Sequence, residues 1–297
     1  MAPRRGVYFL ANDYVLDRAI AFLNSFRTYH KSLPLCLIPF ADNIDDLLRL
    51  QSRFDFTIWS GDPAILAACD DISRAFHGEV KGHYRKLAAW EGEYDEFIYV
   101  DTDTIVLRDM SFAYDFLDKF AFVTTVSDHP ALFRWVWHES IHDAEVLTPD
   151  QVAYAAGTQF IASRKECLRF AEVSPRLDAA LALARHMALV TLEMPLLNYL
   201  MVTSGRPYTS LRVLAGAVGE GQPPPGDIPQ ERWAGDPLGA VRDGRLVTDW
   251  SPPIFLVHWA GVWWELERGE RVELPHNDLW SYYRHLGNAE DHLVDLP

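Results

Sequence analysis

The amino-acid sequence predicts an α/β protein: one domain on a Rossmann-like, mixed but mainly parallel sheet flanked by helices. Three observations predict it. Short apolar runs alternate with segments of helical period along the first hundred residues, the rhythm of a parallel sheet covered by helices. Those runs are continuous rather than alternating, as in strands buried on both faces. The chain has 297 residues, 49% hydrophobic and 23% charged, an ordinary globular composition with ample length to bury a core.

The elements follow in order. Gly6–Ala11 is the first strand-like run. Asp13–Tyr29 carries Leu16, Ile20, Leu23 and Phe26 at helical spacing. Leu33–Phe40 is a second strand, Asp42–Phe54 a helix with an acidic start, and Phe54–Trp59 a third strand. Pro63–Phe76 and Gly82–Glu93 read as helices, and Phe97–Val100 as a fourth strand. In the second half Phe120–Val126 and Thr158–Ser163 predict strands, and Arg164–Leu189 and Thr191–Thr203 helices, the latter with Pro195 in its first turn. Gly219–Gly239, rich in Gly and Pro, predicts a long loop suited to a lid or binding role. Leu246–Trp250 and Ile254–Val257 predict short strands, and Leu279–His285 a last helix.

Composition excludes some functions. With 27 basic and 42 acidic residues the net charge is −15. Nucleic-acid and anionic-membrane surfaces need the opposite balance. No run nears the ~18 apolar residues of a membrane span, and the run after Arg4 and Arg5, Val7–Ala11, is shorter than a secretory leader is expected to carry. Three scattered cysteines form neither a disulfide framework nor a zinc motif. A cytoplasmic protein without membrane insertion is expected, with its oligomeric state open.

Asp101-Thr102-Asp103 is the leading site candidate. About two such D-x-D triplets are expected by chance from 26 aspartates, so context decides. Here the motif ends a buried strand, where open α/β sheets place ligands. Two carboxylates so placed repel each other without a cation, and Mg²⁺ or Mn²⁺ shared with diphosphate oxygens resolves the conflict. His258 ends another apolar strand, and imidazole favours Mn²⁺; a packed core histidine is the plainer reading. Arg85-Lys86 would neutralise a departing diphosphate or else lie on the surface. Asn12-Asp13-Tyr14 joins a strand to a helix N-terminus, where Tyr14 could stack on a base and Asn12 or Asp13 read its edge; a helix cap is the simpler reading. His138-Glu139-Ser-Ile-His142 matches the HExxH zinc pattern, with Glu166 as the nearest third ligand, but lacks the supporting context of a zinc hydrolase. Six of the ten tryptophans lie between 233 and 280, as a sugar-stacking platform or a core of large rings.

Taken in order, these pieces resemble the GT-A-fold glycosyltransferases of family 8, glycogenin-like members most closely, over roughly residues 6 to 264. Asn12-Asp13-Tyr14 is similar to N-D-x-Y, shortened by one residue. Lys86–Trp90 resembles K-L-x-x-W, and Phe97–Leu107 the strand–DxD–strand core. Gly157 resembles the Gly of N-x-G, Glu193–Asn198 the segment D-Q-x-x-L-N, and His258–Gly261 the metal-binding H-x-x-G.

The resemblance implies a UDP-sugar donor, Mn²⁺ held by Asp101, Asp103 and His258, and transfer with retention to an acceptor the sequence does not identify. It divides the domain into a nucleotide-binding half, 1–110, and a sugar and acceptor half, 111–297. Ala11, Asn12, Asp13 and Tyr14 would bind the nucleotide with Thr102. Arg85, Lys86 and Gly261 would face the diphosphate, and Gly157 the sugar. Glu193 and Gln159 are the candidate catalytic groups. The chain departs from the family at Ala155 (for Asn), at Glu193-Met194 (for D-Q) and at the residues after Gly261, where a Lys is missing. These departures fall on the sugar half. A nucleotide-sugar-binding protein of the same fold without turnover is the alternative.

Overall fold

The computed structural model describes residues 2–216 and 226–287. A seven-stranded sheet lies at its centre, in the order β3-β2-β1-β4-β7-β6-β8. Its strands are β1 (Arg5–Ala11), β2 (Leu35–Pro39), β3 (Phe56–Ile58), β4 (Glu96–Asp101), β6 (Phe122–Thr124), β7 (Phe160–Arg164) and β8 (Tyr208–Ser210). All neighbours are parallel except where β7 pairs with β4 and β6, so β7 alone runs backwards. The sheet is mixed and mainly parallel, as predicted.

The continuous apolar runs explain why both faces are covered. In β1 and β4, Tyr8, Leu10, Phe97 and Tyr99 pack on one side, and Val7, Phe9, Ile98 and Val100 on the other. Helices α1 (Leu16–Tyr29) and α2 (Asp45–Phe54) build the second face, while α3 (Pro63–His77) covers the first. The chain leaves β1 toward β2 and β3, then returns to β4 on the other side of β1. That reversal puts a crevice at the carboxyl ends of β1 and β4, the place where open α/β sheets bind ligands.

A three-stranded sheet, β5 (Thr104–Val106), β12 (Ile254–His258) and β9 (Gln230–Trp233), closes the crevice. His258 pairs with Thr104 on β5 and with Trp233 on β9. This register draws a residue more than 150 positions away to the DxD turn. A hairpin, β10 (Ala240–Arg242) and β11 (Arg245–Val247), turns through Asp243 and Gly244, both at positive φ.

Three expectations need correction, and one strand went unpredicted. Residues Gly82–Glu91 form a 3-10 helix, not an α-helix. Gly82 and every residue from Tyr84 to Trp90 are buried, so no single apolar face imposes the 3.6-residue period of an α-helix. The predicted helix over 164–189 is a chain of short turns and helices, among them Phe170–Val173 and Leu177–Ala182; Pro175 has no N–H with which to continue a helix through them. The loop expected over 219–239 contains β9, held by parallel pairing to β12; residues 219–225 lie outside the described part. The hairpin strand β10 carried no signal that was read. The acidic stretch 288–297 also lies outside the described residues.

Candidate active site

The site gathers on the 3-10 helix Gly82–Glu91, the β4–β5 turn, β7, β9, β12 and the start of the helix Met194–Val202. Asp101, Asp103 and His258 each offer one ligand atom, all within 4.8 Å of one another. His258 Nε2 lies 3.3 Å from Asp103 Oδ1, and its Nδ1 lies 3.3 Å from Glu231 Oε1. Glu231 therefore fixes the ring so that Nε2 faces the aspartates, the arrangement of a metal-ligating histidine held by a carboxylate. Two carboxylate oxygens and an imidazole suit a hard divalent cation, and Mn²⁺ accepts the nitrogen well.

Lys86 stands on the other side of Asp101. Its Nζ lies 3.0 Å from Asp101 Oδ1 and 2.6 Å from Glu193 Oε1, and the Lys86 and Glu193 side chains are 3% and 5% exposed. The Tyr99 hydroxyl donates to Asp101 Oδ1 at 2.6 Å, and Thr158 donates to Glu193. The Gln159 amide donates to Glu231 Oε2 and to Thr125 Oγ1, and the Thr125 hydroxyl also donates to Glu231.

The electrostatics express an excess of negative charge. Burial raises the Asp101 pKa, with Asp103 and Glu193 adding to the rise and Lys86 opposing it. Burial also works to raise Asp103, but the neighbouring His258 outweighs it and the net shift is downward. Burial disfavours the His258 cation, yet Asp103 and Glu231 overcome it and push its pKa up to about 10. Burial likewise opposes charge on Lys86, and Asp101 and Glu193 reverse that to a net rise. Four carboxylates share one ammonium and one imidazole, so the cluster is short of positive charge.

The remaining predicted residues separate. Gln159 and Gly157 belong to the site: a Cβ on Gly157 would come within 2.5 Å of the Gln159 amide oxygen. Asn198, within the Glu193–Asn198 segment, bonds both the N–H and the C=O of Ala156, fixing the turn that carries Gly157. Gly261 sits at φ +75 as it opens the helix Val262–Glu267, a conformation that favours glycine. Thr102 donates to the Leu10 carbonyl, stitching the β4 end to β1 beside Ala11. Asn12 donates to Asn43, and Asp13 accepts from the backbone N–H groups of Asp46 and Leu47. Asp13 thus caps a helix, as the simpler reading had it, but the helix is α2 rather than the one it precedes. Tyr14 is 72% exposed. Arg85 forks onto Asp70 at 2.8 and 2.7 Å and also donates to the Pro39 carbonyl.

The HExxH residues do not form a zinc arrangement. Glu139–Ala144 is a 3-10 helix with His138 before it, so positions four apart leave a common face, and His142 stacks on Phe133. Of the clustered tryptophans, Trp259 is fully buried and Trp263 packs edge-on to Trp280, whereas Trp233 and Trp264 are 41% and 40% exposed. Glu231 was missed because it lies in the Gly- and Pro-rich segment read as loop; its only signal was a carboxylate in the short polar stretch Gln-Glu-Arg before Trp233.

Among the described residues no helix is long and apolar enough to cross a membrane. No family model matches the chain, and no curated protein matches it. Solved structures do. The galactosyltransferase LgtC, in complex with donor and acceptor sugar analogues, superposes with TM-score 0.52 at 11% identity, over 94% of this chain and 99% of that one. An active-site mutant of LgtC gives TM-score 0.51 at 11% identity, with the same coverage. The bifunctional glycosyltransferase WbbM, in its apo form, gives TM-score 0.51 at 14% identity, over 88% of this chain and 46% of that one, so the chain spans under half of WbbM. The strand order, the crevice at the ends of β1 and β4 and these superpositions lead to one conclusion: the chain has the GT-A glycosyltransferase fold.

Proposed function

We propose that the protein is a metal-dependent glycosyltransferase that moves a sugar from a UDP-sugar to an acceptor, with retention at the anomeric carbon. The observation that carries this reading is the convergence of Asp101, Asp103 and His258 within 4.8 Å, in the crevice of a GT-A fold. Asp101, Asp103 and His258 Nε2 would hold Mn²⁺ or Mg²⁺, which when bound supplies positive charge for the departing diphosphate. The chain's own groups do the rest. Glu231 keeps His258 in the ligating orientation. Lys86 sits between Asp101 and Glu193, where its charge adds to stabilisation of the leaving group. The exposed ring of Tyr14 is available to stack on a base at the β1 end. Glu193 is the buried carboxylate offered to positive charge developing at the anomeric carbon, and Gln159 holds the floor of the sugar site through Glu231. Exposed Trp233 and Trp264 suit an acceptor rich in sugar rings. Strands from both halves of the chain share one sheet, which supports reading it as a single domain. The three cysteines are buried and unpaired, which suits a reducing, cytoplasmic setting.

The test is transfer or hydrolysis of labelled UDP-hexoses with and without Mn²⁺, beside calorimetric binding of UDP. Mn²⁺-dependent turnover that Asp103→Ala abolishes is the expected result. Mn²⁺-dependent UDP binding without turnover across a donor panel would favour a binding protein. UDP affinity indifferent to Mn²⁺ and to Asp103→Ala would sink the metal assignment.

A further inference from the structure

His83 precedes Lys86 by three residues on the 3-10 helix Gly82–Glu91. With about three residues per turn, positions three apart lie in line along one side. Lys86 points from that side to Asp101 and Glu193. His83 therefore lies one turn away along the side that faces the site. The charges of Glu193, Lys86, Asp101 and Asp103 all act on its imidazole. Its ring stands edge-on to Phe40, with centroids 4.8 Å apart. Its Nδ1 is buried and has no hydrogen-bond partner.

A buried, unpartnered ring nitrogen is costly and calls for a reason. A core histidine could satisfy the atom on a backbone group, as His30 does on the Met110 N–H. His83 keeps its nitrogen unmet beside a crevice, as a group awaiting a ligand would. The ligand's chemistry follows from the surroundings. Burial lowers the His83 pKa, so the ring is neutral and can donate or accept at Nδ1. Glu193 and Asp101 already crowd this side with negative charge, which disfavours a phosphate and favours a neutral hydroxyl. We propose that His83 hydrogen-bonds a hydroxyl of the donor sugar and takes part in choosing which hexose is accepted. This rests on the glycosyltransferase reading and assigns a sugar-contacting residue within it.

The experiment compares wild type, His83→Ala and His83→Asn by calorimetry with Mn²⁺, using UDP, UDP-glucose and UDP-galactose as probes. In His83→Ala, UDP affinity should stay within about twofold. Affinity for the preferred UDP-hexose should fall about tenfold, and the glucose-to-galactose preference should narrow. Asn, whose amide can place a donor or acceptor near the same point, should restore most of the loss. Ligand-free His83→Ala should lose some stability with the Phe40 ring contact, so UDP affinity, not the melting temperature, reads whether the site keeps its shape. Unchanged UDP-hexose affinity and preference in His83→Ala would overturn the proposal and leave a buried water as the partner. Equal loss of UDP and UDP-hexose affinity would make His83 structural and also overturn it. Should wild type bind UDP with Mn²⁺ but gain nothing from either hexose, the sugar contact fails while the nucleotide site stands. Should wild type fail to bind UDP with Mn²⁺, the glycosyltransferase reading itself fails.

Discussion

Glu231 Oε1 lies 3.3 Å from His258 Nδ1, on the opposite side of the ring from Asp103. The same carboxylate accepts from Gln159 and Thr125. It thus ties the metal-facing imidazole to Gln159, the residue just ahead of β7. Loss of such a supporting carboxylate costs about 10–100-fold in metal affinity. We expect Glu231→Ala to lower Mn²⁺ affinity by that factor, and Glu231→Gln by less, since the amide oxygen can still accept from Nδ1–H. Electron paramagnetic resonance titration of free Mn²⁺ reads this directly. Wild-type affinity in Glu231→Ala would show that His258 needs no such support.

Much of this was legible in the sequence, for a physical reason. Strands buried on both faces announce themselves as continuous apolar runs, so β1 and β4 stood out, and with them Asp101 and Asp103 at the end of β4. His258 was legible because it closes another such run. Glu231 was not, because β9 is a short polar strand defined by its pairing with β12 rather than by its own pattern. Arg85 and Lys86 are adjacent and look alike in sequence. On a 3-10 helix adjacent side chains diverge by about 120°, and one forks onto Asp70 while the other reaches Asp101 and Glu193. Asp13 was legible as a cap, but which helix it caps is a tertiary fact.

Lys86 is the sole ammonium bonded to Asp101 and Glu193 among the described residues. Removing one partner of a buried ion pair leaves uncompensated charge and costs about 3–5 kcal/mol. Lys86→Met should destabilise the metal-free protein by that order, read as a shift in the urea midpoint. Combining it with Glu193→Gln should recover part of the loss, because one of the stranded carboxylates is then neutral. Additive effects of the two substitutions would show that they are not coupled across the 2.6 Å contact.

Gly157 is tested by volume. A methyl group there meets the Gln159 amide at 2.5 Å, and that amide is held in place by Glu231 and Thr125. The side chain has to move, so the Glu231 anchor loosens. We expect Gly157→Ala to cost about 1–3 kcal/mol in stability, as overpacking does, and to weaken Mn²⁺ affinity in the same sense as Glu231→Ala. Thermal unfolding and the Mn²⁺ titration check the two parts separately. A variant that is destabilised but binds Mn²⁺ as wild type would mean that Gln159 plays no part in positioning Glu231.

His30 gives the protein a pH dependence far from the candidate site. Its Nε2 accepts the Met110 N–H at 3.1 Å, so that nitrogen carries no proton, while Nδ1 faces Asp109 at 3.4 Å. Asp109 is largely exposed and its pull is screened; burial dominates, with Arg27 reinforcing it, and the pKa falls from 6.5 to about 4. The sign follows from linkage. Between pH 6.5 and about 4 the unfolded chain takes up this proton and the folded chain does not. The contribution of His30 is therefore complete above pH 6.5 and is lost as pH falls toward 4, amounting to about 3 kcal/mol at one unit of pKa per 1.36 kcal/mol. His30→Gln keeps an acceptor for the Met110 N–H but cannot take up a proton. Urea unfolding at a series of pH values should show stability falling less steeply in this variant than in wild type between pH 6.5 and 4. Other groups titrate in both proteins, so the difference between the two curves isolates His30. Parallel curves across that window would mean that the buried imidazole accepts its proton in the folded state, with Asp109 rather than burial setting its charge.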